Sequence, residues 1–234
     1  MTEPLLSLRQ LDAGYGDFQA LFNVSFDIAT GSVTALIGAN GAGKSTLLRA
    51  IVGLVRAKPQ MVRYCGEPIG GLSPDRIARR GVALVPEGRR LFRSLSVEEN
   101  LVIGGECGRP GPWSLKAVYS LFPVLRERRR NPGTALSGGQ QQMVAIGRAL
   151  MSNPELILFD EISLGLAPVV IKDIYAALPA IIATGVSAVI VEQDVTRALG
   201  IAHRFVCLQE GKVSLQGDPA AVGRHDITAA YFGM

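Results

Sequence analysis

The stretch Gly38–Ser45, GANGAGKS, constrains what this chain can fold into more than any other eight residues. It has the form G-x-x-x-x-G-K-S, follows the apolar run Val33–Ile37 and leads into the leucine-rich STLLRAIVGL. Strand, glycine loop and helix in that order build an anion cradle. The glycines let successive backbone N–H groups curl around the anion, and the helix N-terminus adds the positive end of its dipole. Phosphate fits such a cradle: Lys44 reaches the terminal phosphates, and the Ser45 hydroxyl is placed to ligate Mg²⁺.

The rest of the chain has the pattern that such a loop requires. Leu5–Leu11, Leu21–Ile28 and Val33–Ile37 read as strands, the second with Val24, Phe26 and Ile28 alternating. Val82–Val85, Leu156–Phe159 and Val186–Val191 are short and almost wholly apolar, as strands of a parallel sheet covered on both faces are. Composition agrees: hydrophobic residues make up 48% before the 27 glycines are counted, above the roughly 45–50% that soluble domains reach with glycine included. Helical signals fill the segment from about Glu87 to Asn131, where Ser96 with Glu99 forms a capping box and Ser114 precedes LKAVYSLF. A helical insertion is therefore placed at about residues 87–135 of a single domain. Arg204–Gly217 reads as a hairpin turning at Glu210-Gly211, followed by a short helix over Asp218–Gly223.

A bound Mg²⁺ nucleotide also needs a carboxylate at the end of a neighbouring strand, and LILFDE supplies Asp160 and Glu161. Asp160 is the candidate metal ligand, and Glu161, one residue on, the candidate general base for the attacking water. Two acids ending a strand are otherwise a common solvated turn. Cys65, Cys107 and Cys207 are odd in number and form no CxxC pair, so they read as reduced packing residues. The net charge of +4 is mild, and its one dense patch, Leu125–Arg130, reads as a solvated helix end rather than a nucleic-acid surface. No apolar run approaches the roughly 18 residues of a membrane span, and MTEPLLSLRQ lacks a signal pattern, so a cytoplasmic location is expected.

Just before the acidic strand stands LSGGQQQMVAIGRAL, Leu136–Leu150, a second glycine turn opening a helix. It resembles the signature motif of ATP-binding cassette proteins. The likeness extends to GYGDFQALFNVSF, VPEGRRLF, SVEENL, LFPVLRERR, DEISLGLAP, VEQDVTRAL and the terminal AAYFGM, and so covers essentially the whole chain. Taken together these motifs look like those of the smaller ATPase subunits of branched-chain amino acid importers. The resemblance implies a RecA-like P-loop core with an antiparallel β subdomain and an α-helical signature subdomain. It implies that Tyr15 stacks on adenine, although a strand-end packing aromatic is the bland alternative. It further implies that Gly38, Asn40, Gly41, Gly43, Lys44, Ser45 and Thr46 hold the phosphates of ATP. Ser137, Gly138, Gly139 and Gln140 are then the signature residues that face nucleotide held by a second ATP-binding subunit, in a head-to-tail homo- or heterodimer.

Two departures from most cassettes bear on chemistry. Glu87 falls where most have the glutamine that senses Mg²⁺ and couples to the membrane subunit, and Gln193 falls where most have a switch histidine. Glu87 can accept from water or approach Mg²⁺ but cannot donate as an amide does, and Gln193 can donate but carries no titratable proton near neutral pH. Turnover independent of an imidazole and a modest basal ATPase are expected. Ile162 stands where proline usually follows the acidic pair, and Ala167 where many cassettes place an aspartate. His203 and His225 match no motif and read as surface or packing residues.

The resemblance implies an ATP-hydrolysing subunit at the cytoplasmic face of the inner membrane. Two permease subunits bind it, near Glu87–Phe92 and the helices that follow, and a solute-binding protein is involved indirectly. The competing readings are the ATPase of an amide or urea importer, a cassette ATPase acting on DNA or the ribosome, and a nucleotide-binding regulator that barely hydrolyses. One phosphate loop and no heptad run weigh against the second of these.

Overall fold

The structure is a computed structural model and describes residues 3–232. The chain divides into two compact units, one formed by the residues up to Ile77 with those from Ser187 onward, the other by Ala78–Val186.

The first unit opens with β1 (Leu6–Tyr15) and β2 (Phe18–Ile28), an antiparallel hairpin in register from Leu6↔Ile28 to Tyr15↔Phe18. Both strands run further than their apolar alternation. Register shifts between Leu8 and Gly14, with Gln10 (φ 49°) and Asn23 (φ 54°) left-handed, carry the pairing on to the tip at Gly16. β3 (Val33–Ile37) and α1 (Lys44–Ile51) flank the glycine loop. β4 (Val62–Tyr64) and β5 (Glu67–Pro68) complete a sheet of order β2-β1-β4-β5. These two strands are too short to show a period, and β4 gains its ladders by pairing with β1 at Leu6↔Tyr64 and with β5 at Tyr64↔Glu67. α2 (Pro74–Arg79) carries the chain into the second unit.

In the second unit β6 (Val82–Val85) lies parallel to β7 (Leu156–Asp160), from Val82↔Leu156 to Val85↔Phe159. Between them come α3 (Val97–Gly104), α4 (Leu115–Leu121), α5 (Pro123–Glu127) and α6 (Gly138–Leu150), and α7 (Pro168–Ile182) follows β7. Ser96 and Glu99 form the capping box on α3, and Ser114 caps α4. The arginine run leaves α5 with Arg126, Arg128 and Arg130 exposed. Its backbone works for α3, since Val97 and Glu98 N–H donate to the carbonyls of Asn131 and Arg129 at 2.9 and 3.0 Å. Where Cβ atoms would stand at Gly147 of α6, Val118 and Leu101 already sit at 2.7 and 2.8 Å, so that glycine lets α3, α4 and α6 close on one another.

The chain returns to the first unit through β8 (Ser187–Val191), α8 (Val195–Leu199), β9 (Arg204–Gln209), β10 (Lys212–Gly217) and α9 (Arg224–Phe232). β3 lies between β8 and β9, parallel to both, and β10 closes antiparallel on β9. The hairpin turns at Glu210 (φ 47°) and Gly211 (φ 76°). The short helix expected over Asp218–Gly223 is instead a turn. Ala221 and Val222 N–H both donate to the Asp218 carbonyl and Ala220 N–H to its carboxylate, which uses up one turn before Gly223, a poor helix former, and α9 begins only at Arg224. Gly233 and Met234, the last residues of the terminal motif, lie outside the described residues, as do Met1 and Thr2 of the opening.

None of the three cysteines forms a disulfide, but they differ in place. Cys207 is buried with Ala35, Ile37 and Phe205, and Cys107 is half-buried. Cys65 is exposed in the β4–β5 turn at φ 48°, so it is not a packing residue. His203 is exposed and works locally, its Nδ1 accepting the Val33 N–H at 2.9 Å where β3 begins. His225 is exposed.

Candidate active site

The glycine loop leaves β3 at Gly38 (φ 148°), where a Cβ would collide with the Leu208 carbonyl. Asn40 and Gly41 (φ 81°) form its exposed tip, and Gly43 (φ 100°) enters α1 with Leu21 Cδ2 only 2.8 Å from where a Cβ would lie. Side chains are excluded at Gly38 and Gly43 by sterics and by backbone conformation together. α1 begins with no side-chain cap and no acid in its first turn, so the positive end of its dipole suits an anionic ligand. Lys44 is buried, and its ammonium donates to the carbonyls of Gly38 at 2.7 Å and Ala39 at 3.0 Å. Backbone donors, an uncapped helix and a buried cation fit a polyphosphate.

Tyr15 ends β1 beside this helix. Its hydroxyl accepts from Arg49 Nη1 at 3.1 Å and lies 3.5 Å from Thr46 Oγ1, and the residue is 46% exposed, so the polar tip is tethered while surface remains open for stacking. Leu36 pairs with Val191, so β3 and β8 end side by side and release Gly38 and the exposed Gln193 at one edge of the sheet.

The second unit repeats this placement. Val85 pairs with Phe159, so β6 and β7 end together and release Glu87 and Glu161 at the carboxyl ends of parallel strands, where open α/β sheets place their ligand sites. Asp160 is buried at 2% exposure. Glu161 is held at φ 50°, a conformation that costs a non-glycine residue about 1–3 kcal/mol. Ile162 is buried in the position where proline was the usual residue.

Ser137 is the N-cap of α6. Its Oγ accepts the Gln140 N–H at 3.3 Å, and Gln140 Oε1 accepts the Ser137 N–H at 3.1 Å. Both side chains, read from sequence only as ligand-facing, thus close a capping box on their own helix. Gly139 faces Val170 of α7 with no room for a Cβ. At Gly138 the neighbour is Arg89, whose guanidinium Nη2 would stand 3.1 Å from a Cβ and whose Nη1 donates to Gln141 Oε1 at 3.4 Å.

Arg148 and Asn100 carry no assignment from the sequence, and both hold the loop that follows Glu87. Gly88, Arg89 and Arg90 are consecutively left-handed, at φ 74°, 66° and 48°. Arg148 of α6 donates from Nη1 to the Arg90 carbonyl at 2.8 Å and from Nη2 to the Arg89 carbonyl at 3.1 Å, and its guanidinium lies 5.5 Å from the centre of the Phe92 ring. Burial lowers the Arg148 pKa from its ordinary value. Asn100 is fully buried under the same loop. The available signals were weak: one arginine inside the apolar run MVAIGRAL, and an asparagine inside a helix.

Residues 21–163 match the family model described as ABC transporter. Over 232 residues the chain is 44% identical to the high-affinity branched-chain amino acid transport ATP-binding protein BraG of Pseudomonas aeruginosa, covering 98% of this chain and 100% of that one. Among solved structures, a nucleotide-free ATP-binding cassette from an ABC transporter superposes with a TM-score of 0.81 at 27% identity, covering 99% of this chain and 96% of that one. A dimeric cassette in a post-hydrolysis state, bound to ADP and phosphate, gives 0.80 at 25% identity, covering 92% and 98%.

Proposed function

We infer, because this chain belongs to the ABC transporter family of ATP-binding proteins, that it hydrolyses ATP to drive uptake of branched-chain or other hydrophobic amino acids through membrane permease partners. The observation that carries this reading is the glycine cradle with an uncapped α1 and Lys44 buried against its carbonyls. The amino-acid assignment rests on the likeness to BraG. Among the described residues no helix is long and apolar enough to cross a membrane. We place the chain at the cytoplasmic face, held there by two permease subunits, with a solute-binding protein on the far side.

The roles follow from the chemistry of each group. Lys44 exchanges its Gly38 and Ala39 carbonyl partners for phosphate oxygens, Thr46 and the loop N–H groups add donors, and Tyr15 stacks on the base. The Ser45 hydroxyl and the Asp160 and Glu87 carboxylates are each oxygen donors of the kind Mg²⁺ takes, and the metal would neutralise phosphate charge. Glu161 accepts the proton of the attacking water, and the Gln193 amide donates to a phosphate oxygen. A second ATP-binding subunit, identical or a larger sister chain, completes the site with its own nucleotide facing Ser137–Gln140.

The test is reconstitution with the permease subunits in liposomes. ATP-dependent uptake of leucine but not urea, lost together with hydrolysis in Glu161→Gln, is expected. Urea uptake, or hydrolysis that survives Glu161→Gln, would refute the reading.

A further inference from the structure

Nothing in the chemistry of hydrolysis requires the half-buried guanidinium of Arg148, and among the described residues no carboxylate pairs with it in a salt bridge. Its donors go to two main-chain carbonyls of the loop that follows Glu87. Both carbonyls belong to left-handed residues, a backbone shape that persists only where surrounding structure holds it. The base of Arg148 is itself held: a Cβ at Gly104, the end of α3, would strike the Arg148 carbonyl, and Gly147 closes α6 on Leu101 and Val118. A second contact runs the other way, from Arg89 to Gln141 in the first turns of α6.

We propose that Arg148 is a positioning residue that locks the Glu87 loop to α6, so that displacement of the loop by the permease reaches Ser137–Gln140 through two guanidinium–carbonyl hydrogen bonds. This rests on the importer reading above. The lock grips main chain, so it leaves the exposed side chain of Arg90 available to the permease. It also needs a fork, because two carbonyls on successive residues match the parallel donors of guanidinium and not the single ammonium of lysine. The loop and α6 then form one element on which both sites act, joined by the single side chain of Arg148.

The experiment compares Arg148→Lys and Arg148→Gln with wild type in the reconstituted importer, reading leucine uptake per ATP hydrolysed. That ratio does not depend on the fraction of correctly folded protein. It is expected to fall about three- to tenfold in both variants. In parallel, the isolated full chain is digested briefly with trypsin, and cleavage after Arg89, Arg90 and Arg93 is expected to accelerate in both variants. Either readout staying at the wild-type value in a folded variant overturns the proposal. Glu161→Gln separates the two levels: if it still hydrolyses ATP, the importer reading has failed, and the trypsin result still decides whether the lock exists.

Discussion

The side-chain amide of Asn100 closes a ring on the backbone of Phe92, its Oδ1 accepting the Phe92 N–H at 2.9 Å and its Nδ2 donating toward the Phe92 carbonyl at 3.0 Å. The same Nδ2 lies 3.2 Å from the Leu95 carbonyl and 2.9 Å from that of Ser96. A single buried amide therefore ties the end of the Glu87 loop to the start of α3. Asn100→Asp keeps the shape but sets an acceptor among three carbonyls. It is expected to cost about 2–4 kcal/mol at neutral pH, measured by urea unfolding, and the loss should shrink as pH falls and the new carboxyl takes up a proton.

Glu99 gives a pH signature of the α3 cap. The Ser96 N–H and hydroxyl both donate to its carboxylate at 2.7 Å, and these bonds hold its pKa below the ordinary value. A depressed carboxyl contributes stability above its unfolded pKa, and that contribution is lost as pH falls through the folded one. Urea midpoints between about pH 7 and pH 3 should therefore fall further in wild type than in Glu99→Gln. Parallel curves would remove the cap from the acid response.

Gly139 and Val170 share one space. Gly139→Ala forces its methyl into the Val170 side chain and is expected to cost about 1–3 kcal/mol. Val170→Ala opens that space, so the double variant should be more stable than the sum of the two single losses implies. Strict additivity in urea unfolding would contradict the overlap.

Ala167 is the N-cap of α7 and provides no side-chain cap, with Pro168 following at the first helical position. Its φ and ψ of −66° and 145° already suit a capping residue. Ala167→Asp should therefore stabilise the chain by about 0.5–2 kcal/mol, seen as a raised midpoint in urea. No gain would mean that the new carboxylate cannot reach the N–H groups of the first turn.

Gln193 has no proton to exchange near neutrality. ATPase activity of the assembled importer should show no imidazole inflection, whereas Gln193→His should introduce one near about pH 6.5. A wild-type profile that already bends there would contradict this.

The glycine loop, its flanking strand and helix, the caps at Ser96 and Ser114 and the short apolar strands were legible because each depends on residues within a turn or two, through backbone conformation, local hydrogen bonds and periodicity. The signature turn was legible as a motif, yet its capping box went unread because Ser137 and Gln140 were considered only for an outside ligand. Tertiary structure alone decided the β4–β5 pair, the continuation of β1 past its bulges, the turn at Asp218 and the left-handed Arg89 and Arg90. It alone also joined Arg148 to that loop, across 58 and 59 residues of sequence. Those features are settled by which main-chain groups meet when the chain closes, and a carbonyl looks the same in every residue, so no pattern of side chains announces which one a distant guanidinium will find.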